Sequence, residues 1–154
     1  MDYYFSSDIS RMSLTREDLD EWVKALRSGE FKQGFGKLQS PSGSYCVLGV
    51  KCELDARKGL LETSYHYYRD PKGQWQDTML TPRQRDLYKT DYSGPDVRRS
   101  NSVFSELAPK VPRFRTLPRV GRLSVFNDLK VPFPVLADLL EEHIVIVPFY
   151  EELT

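Results

Sequence analysis

Residues 22–54 read WVKALRSGEFKQGFGKLQSPSGSYCVLGVKCEL, and this stretch decides the fold. It begins inside a helical pattern, passes through a glycine-rich loop and ends in an apolar segment that holds both cysteines of the chain. Residues 45–54 have the β-branched and aromatic content of a strand, but their spacing also suits a helix. We favour a helix that runs towards Lys58 and ends at Gly59, because glycine commonly terminates helices.

The helix at the start of this stretch has recognisable end signals. Thr15 can cap it, Asp18 follows three residues later in the capping-box position, and Gly29 lies where a C-terminal cap belongs. The apolar residues of its predicted inner face recur at helical spacing and are Leu19, Trp22, Val23 and Leu26. The sequence therefore predicts a helix over residues 15–29.

The middle of the chain has strand and turn signals. Residues 61–68 and 74–80 read as two strands around the turn RDPKG. Thr81 followed by Pro82 is a cap and first-turn pair, which predicts a short helix directly afterwards.

The C-terminal part has two short helical patterns, over residues 121–128 and 133–143, followed by a predicted strand over residues 144–150. The pair has the length of a helix-turn-helix motif. Its second helix carries acids rather than the basic and amide side chains that read DNA, so we interpret it as a core helix pair.

These elements predict a single α+β domain over residues 1–154. It would contain an N-terminal helix, a small antiparallel sheet or hairpin, and a C-terminal helix pair. Residues 1–12 are interpreted as an arm. Residues 92–122 are interpreted as an extended, basic, proline-rich loop.

The overall charge is balanced, since 22 basic and 22 acidic residues give a formal net charge of zero. This excludes a protein that coats nucleic acid through its total charge. The distribution is uneven, because residues 80–122 carry 10 basic and 4 acidic side chains and residues 123–154 carry 1 and 6. The two regions either neutralise each other across the fold or leave a basic surface free.

Composition also predicts the setting of the protein. No charged segment followed by an apolar run marks a secretory signal, and no apolar stretch approaches the ~20 residues of a membrane helix. Two cysteines are too few for a disulfide scaffold. We therefore expect a cytoplasmic protein without membrane contact.

A run of basic residues between 110 and 122 is the first candidate binding site. It contains no acid, and its cations are Lys110, Arg113, Arg115, Arg119 and Arg122. Such a run can bind nucleic-acid phosphates or an acidic protein surface, or it can be a solvated loop neutralised by the acidic C-terminal part.

The glycine-rich loop is the second candidate. Glycines allow close backbone approach, and nearby polar side chains could hold an anion or nucleotide: Arg27, Lys32, Gln33 and Lys37. The loop lacks the GxxxxGK[ST] pattern and follows a helix rather than a strand, unlike a P-loop. A simple turn with positive φ at its glycines is the alternative.

The two thiols do not form a recognisable metal or nucleophile motif. Cys46 and Cys52 lie six residues apart, which fits no standard zinc spacing, and His66 and His143 are distant in sequence. Cys46 lies in an apolar segment, where burial would raise its pKa. We predict no catalytic residue, no metal and no cofactor.

Three blocks of this sequence follow a recurring pattern. The first, W-x2-ALRSG-x-(Y/F)-x-QG-x-G-x-L, is matched by Trp22, Ala25, Leu26, Arg27, Ser28, Gly29, Gln33, Gly34, Gly36 and Leu38. The second, YCCLGVLC(D/E)L, is matched by Tyr45, Cys46, Leu48, Gly49, Val50, Cys52, Glu53 and Leu54. The third, L-x2-LND-x-G-x-SF-x2-IAD-x-IE, is matched by Leu123, Asn127, Asp128, Phe133, Ala137, Asp138 and Glu141. With these blocks the chain resembles a family of small bacteriophage and prophage proteins.

The chain departs from that pattern at three places. Val47 replaces the second of two adjacent cysteines, Lys51 replaces an apolar residue, and Val131 and Pro132 stand where a turn glycine is expected. The resemblance implies a phage origin and no assigned reaction, so it supplies no catalytic residues.

We predict a non-enzymatic, phage-encoded protein that binds a host macromolecule or a signalling nucleotide in the host cytoplasm, in host takeover or against host defence. Nucleic acid could bind through residues 110–122, and a homo-oligomer is left open. Two alternatives remain: a virion structural protein, and an enzyme acting on a nucleotide or nucleic acid through Lys32, Gln33 and Asp128.

Overall fold

The computed structural model describes residues 12–98 and 117–146, which form the predicted α+β fold. The helices are α1 (Arg16–Ser28), α2 (Val47–Arg57), α3 (Pro82–Tyr88), α4 (Leu123–Asp128) and α5 (Phe133–His143). The strands are β1 (Ser13–Leu14), β2 (Glu62–Ser64), β3 (Tyr67–Arg69), β4 (Asp96–Arg98), β5 (Val120–Arg122) and β6 (Val145–Ile146). They form three two-stranded ladders: β1 with β6 in parallel, and β2 with β3 and β4 with β5 antiparallel.

The ends of α1 are those that the sequence predicts. The side chain of Thr15 accepts the backbone N–H of Asp18 at 3.2 Å, and Gly29 ends the helix with a φ of +80°. The predicted inner face is buried, and α1 packs on α5 and α2. The indole Nε1 of Trp22 donates to the carbonyl of Val47 at 3.2 Å, which fixes α1 against the start of α2.

Residues 47–57 form a helix, so the strand alternative for this segment is wrong. Cys46 caps it, because its sulfur accepts the backbone N–H of Gly49 at 3.4 Å. The helix ends just before Gly59, which has a φ of +83°. A Cβ added at Gly49 would overlap the carbonyl oxygen of Leu38, so this glycine allows the preceding loop to pack directly on α2.

The hairpin differs from the prediction. The chain turns at Tyr65 and His66, in the middle of the predicted first strand, so that β2 pairs with β3. The predicted strand over residues 74–80 is wrong, since only Gln76 pairs with Tyr68 across the turn RDPKG. Tyr and His are not typical turn residues, and Tyr65 adopts a φ of +53°, which favours glycine.

Two other predicted segments lie partly outside the described residues. The ends of the predicted loop over residues 92–122 pair as β4 and β5, and residues 99–116 lie outside the described part. Residues 1–11 of the predicted arm are also outside it, whereas Met12 is fully buried. In the last predicted strand, residues 145 and 146 form β6 and pair with β1, and residues 147–150 lie outside the described part.

The C-terminal helices form the predicted core pair. Their buried apolar residues are Leu123, Phe126, Phe133, Val135, Leu136, Leu139 and Leu140. In the turn between them Lys130 has a φ of +70°. The position in this turn that favours glycine is therefore Lys130, and the assignment of the missing glycine to Val131 and Pro132 is wrong.

Candidate functional site

Three distant parts of the sequence meet at the buried side chain of Asn127. Its Oδ1 accepts the backbone N–H of Val47 at 3.1 Å and Nε2 of Gln33 at 3.0 Å. Its Nδ2 donates to the carbonyl of Gly34 at 2.9 Å. We call Asn127, Gln33 and these backbone groups the Asn127 cluster. It fixes the glycine-rich loop and the start of α2 to the end of α4.

Gln33, which the sequence suggested as a binding residue, is part of this structural cluster. Its Nε2 also donates to the carbonyl of Val131 at 2.8 Å, and its Oε1 accepts the N–H of Phe133, the first residue of α5, at 3.1 Å. The three hydrogen bonds of this side chain therefore go to the protein itself.

The backbone amides of the glycine-rich loop are also engaged. Gly34 donates its N–H to the carbonyl of Tyr45 at 2.7 Å, and Gly36 donates to a carboxylate oxygen of Asp128 at 3.0 Å. The Asp128 carboxylate thus stands where an anion would meet the Gly36 amide. The simple-turn interpretation fits this arrangement better than an anion cradle does.

The cations predicted around this loop are not gathered into one site. Arg27 pairs with Asp138 and, at 2.5 Å, with Glu141 on α5. Burial works against the charged form of Arg27, but these carboxylates raise its pKa. Lys37 pairs with Asp77 at 2.8 Å, and that hydrogen bond raises the pKa of Lys37.

Lys32 differs from its neighbours. Its side chain is exposed and makes no ion pair with any residue of the described segments 12–98 and 117–146. No hydrogen bond or ion pair in those segments joins the Lys32 side chain to Gln33 or Asp128, and these two side chains bond to other groups of the fold. The described residues therefore show no contact that unites the alternative catalytic set of Lys32, Gln33 and Asp128.

Most of the predicted basic run lies outside the described residues, including Lys110, Arg113 and Arg115. Arg119 is exposed. Arg122 is partly buried and pairs with Asp91 at 2.8 Å and Asp96 at 3.4 Å. Its charge is therefore neutralised locally, and the binding role of this run stays a prediction.

A second polar cluster lies between α2 and α3. Lys51 Nζ donates to Asp55 at 2.8 Å and to the Tyr88 hydroxyl at 3.0 Å. The same carboxylate accepts hydrogen bonds from Tyr88 and from Gln84 Nε2, both at 2.9 Å. Lys51 and Asp55 are completely buried. We call these four side chains the Lys51 cluster; burial and the Asp55 carboxylate raise the pKa of Tyr88.

Each cluster has one cysteine beside it. Burial raises the pKa of Cys46 to about 11, as the sequence predicts, and raises the pKa of Cys52 well above its usual value. The Cys52 thiol donates weakly to Gln84 Oε1 at 3.5 Å. Neither sulfur is ionised at neutral pH, so these thiols are structural rather than nucleophilic.

The most exposed aromatic residue of the described segments lies on the β2–β3 hairpin. Tyr65 at its tip is 90% exposed. The rings of His66 and Tyr67 lie 4.4 Å apart, and the Arg69 guanidinium covers the Trp75 ring at 4.3 Å. We call these five residues the hairpin surface.

A second exposed surface lies beside α4. Val125 and Leu129 are each 43% exposed, and Phe35 of the glycine-rich loop is 48% exposed. Lys130 Nζ lies 5.8 Å from the centre of the Phe35 ring. Together with Asp128, whose carboxylate binds Gly36, these residues form what we call the α4 patch.

Two other classes of site are absent from residues 12–98 and 117–146. No group of three or more His, Cys, Asp or Glu side chains there could hold a metal ion. No helix in that part of the chain is long and apolar enough to cross a membrane.

Comparison with known families gives one match. Residues 15–144 match the model of DUF8296, which is described as a domain of unknown function. The chain belongs to this family. The matched span of DUF8296 begins at the cap of α1 and ends just after α5, so it includes both polar clusters and both exposed surfaces. No curated protein and no solved structure matches the chain.

Sequence reasoning missed both exposed surfaces of this DUF8296 domain. Residues 65–68 were visible as an aromatic run, but the turn inside them has no turn signal. Val125 lies in a predicted core helix and Leu129 in the turn directly after it, and their exposure depends on tertiary packing. A better signal existed for the Asn127 cluster, because Gln33, Asn127 and Phe133 all belong to the quoted motif blocks.

Proposed function

We propose that the protein is a non-enzymatic binding protein that engages a host macromolecule, as a phage-encoded factor in the host cytoplasm that redirects the host or counters its defence. The observation that carries the binding part of the proposal is Tyr65, which is 90% exposed at the tip of a hairpin with a φ of +53°. The phage origin and the host setting rest on the sequence resemblance.

The conformation of Tyr65 supports a role outside the fold. A non-glycine residue in the left-handed region costs about 1 kcal/mol, and a bulky one is unusual there. Of the non-glycine residues with positive φ in the described segments, Tyr65 is the only aromatic one. Its ring has little packing to offset this cost, and strained positions of this kind cluster at functional sites.

The composition of the hairpin surface favours a protein as the macromolecule. Tyrosine, tryptophan and arginine are the residues that dominate binding energy at protein interfaces. Two nearby cations are already paired, since Arg69 pairs with Glu62 at 3.3 Å and Lys37 pairs with Asp77. A phosphate would have to displace these carboxylates before it could bind Arg69 or Lys37.

A signalling nucleotide remains the second candidate. The adjacent rings of His66 and Tyr67 could stack on a nucleobase, which aromatic side chains do without strict sequence preference. The neutralised cations make this candidate weaker than a protein partner.

The buried polar clusters favour binding over catalysis. Lys51, Asp55 and Asn127 are completely buried and bonded to protein groups, and both thiols are held protonated. These buried groups therefore hold the fold together and do not face a substrate.

The test is affinity capture from bacterial extract, with mass spectrometry of both proteins and small ligands. We would compare the wild-type chain with Tyr65→Gly, Trp75→Ala and a control, Leu87→Ala. Tyr65→Gly removes the ring and also relieves the positive φ, so it should keep the fold while weakening capture about 10-fold or more. Leu87 is 52% exposed on α3 and should capture normally when changed.

Three outcomes would contradict the proposal. Equal capture by Tyr65→Gly, Trp75→Ala and the wild type would show that the hairpin surface does not bind the partner. Turnover of any captured small molecule would show that the protein is an enzyme. Assembly into particles would favour the virion alternative. Once a partner is identified, steep loss of affinity with salt would indicate nucleic acid rather than a protein interface.

A further inference from the structure

We infer that a second copy of this chain docks on the α4 patch, so that the protein forms a two-fold symmetric dimer. This inference uses a different surface from the hairpin surface, and either can fail while the other stands.

The α4 patch presents apolar side chains that find no cover within the described chain. Val125 and Leu129 are one helical turn apart and therefore lie on the same side of α4. Phe35 is brought to the same end of the helix by two contacts: the bond from the Gly36 amide to Asp128, and the approach of Lys130 to the Phe35 ring. Clustered exposed apolar groups of this kind mark interaction sites.

The charges of the patch favour a second copy over a charged partner. It carries one acid, Asp128, and one base, Lys130, two residues apart beside the apolar group. In a two-fold contact the same surface meets itself, so Lys130 of one copy can approach the partner's Asp128 and the reverse. The formal net charge of the whole chain is zero, so two copies have little general repulsion to overcome.

The patch is also held rigid from beneath. Asn127, the residue between Phe126 and Asp128, is completely buried and fixed to the start of α2 and to the glycine-rich loop. The backbone that presents the patch is therefore ordered before a partner arrives, which lowers the entropy cost of association.

The conformation of Lys130 points to the same surface. Its φ of +70° would suit glycine better, yet a lysine stands there and lies beside the exposed Phe35 ring. A lysine in this position costs folding free energy but supplies the base that the two-fold contact requires.

The first test is sedimentation equilibrium of the full chain over a wide concentration range. The wild type should have the mass of a dimer. Val125→Glu and Leu129→Glu should each weaken the dimer about 10-fold or more, because a charge would enter the apolar centre. The matched control is Leu87→Glu, which alters an equally exposed leucine on α3 and should leave the dimer unchanged.

A charge reversal tests the pairing across the contact. K130D should weaken the dimer, because it places like charges opposite each other. Circular dichroism and thermal unfolding of each variant separate a lost contact from a lost fold.

A wild-type chain that stays monomeric at every concentration would overturn the inference. So would a dimer that survives Val125→Glu and Leu129→Glu in folded protein, because it would then use another surface. A folded K130D variant that dimerises as tightly as the wild type would rule out the two-fold pairing of Lys130 with Asp128.

Discussion

The two polar clusters lie at different places on α2 and use different chemistry. The Asn127 cluster is built of uncharged amides and satisfies backbone groups from the glycine-rich loop, the start of α2 and the start of α5. The Lys51 cluster contains a completely buried ion pair, and its hydrogen bonds mainly join side chains of α2 and α3. The first holds three distant segments together, whereas the second fixes one short helix to another.

The difference also separates residues inside the three quoted motif blocks from one that does not match them. Gln33, Asn127 and Phe133 match those blocks, and they meet in the Asn127 cluster. Lys51 does not match them, and it organises the other cluster. A motif residue considered for catalysis, such as Gln33, can therefore be structural, and a buried charge such as that of Lys51 must be compensated by its neighbours.

The largest effect should come from breaking the Lys51 cluster. Asp55→Ala leaves the Lys51 ammonium buried without its counter-ion, and such a loss costs about 3–5 kcal/mol of unfolding free energy. Urea denaturation measures it. The control Asp86→Ala removes an exposed acid on α3 and should change stability by less than about 0.5 kcal/mol. A loss below ~1 kcal/mol for Asp55→Ala would contradict a stabilising role of the buried Lys51–Asp55 pair.

Breaking the Asn127 cluster should lower the free energy of unfolding by less than breaking the Lys51 cluster, because it leaves no buried charge without a partner. Asn127→Ala leaves the Val47 amide and one Gln33 donor without an acceptor, for a loss of about 2–3 kcal/mol. Hydrogen exchange offers a direct readout, since the Val47 amide should lose protection. Gln74→Ala, an exposed amide outside the cluster, is the matched control. Unchanged protection at Val47 would show that another group replaces Asn127.

The cysteine beside the Asn127 cluster gives a prediction about pH. The pKa of Cys46 is raised from 9.0 to about 11, so its contribution to stability is complete below about pH 9 and lost as the pH rises through 11. At pH 10 this loss amounts to about 1 kcal/mol. Cys46→Ser keeps a helix cap without the thiol, so its stability should fall less between pH 8 and 10 than that of the wild type. If the free energy of unfolding fell equally with pH for the wild type and Cys46→Ser, the raised pKa of Cys46 would be contradicted.

The smallest effect should come from an ion pair outside both clusters. Arg27 joins α1 to α5 through Asp138 and Glu141, but its side chain is half exposed. Solvent screens such pairs, so Arg27→Ala should cost less than about 1 kcal/mol, and the difference should shrink at high salt. A larger cost that is insensitive to salt would place Arg27 among the structural residues of the clusters.

The sequence predicted the elements whose signals are local. Thr15, Gly29, Gly59 and the Thr81 cap act within one helical turn, and all of them lie where the pattern indicated. The turn at Tyr65 could not be predicted, because it contradicts local preference and is held by the pairing of β2 with β3.

The sites were harder to predict than the elements, because they depend on residues far apart in sequence. Gln33 and Asn127 are separated by 94 residues, and the sequence around neither residue predicts their hydrogen bond. The spacing of Lys51 and Asp55 was visible as a helical pair, but their complete burial was not. Lys37 and Arg27 were identified as cations, and only the fold reveals the carboxylates that neutralise them.

The parallel pairing of β1 with β6 has a mechanical consequence. The chain enters β1 at one end of this ladder and leaves β6 at the opposite end, with Ser13 opposite Val145 and Leu14 opposite Ile146. A pulling force applied through the two flanking segments would therefore load both pairs at once, in shear, instead of peeling them apart one by one. The short ladder would then resist stretching of the domain between its two ends.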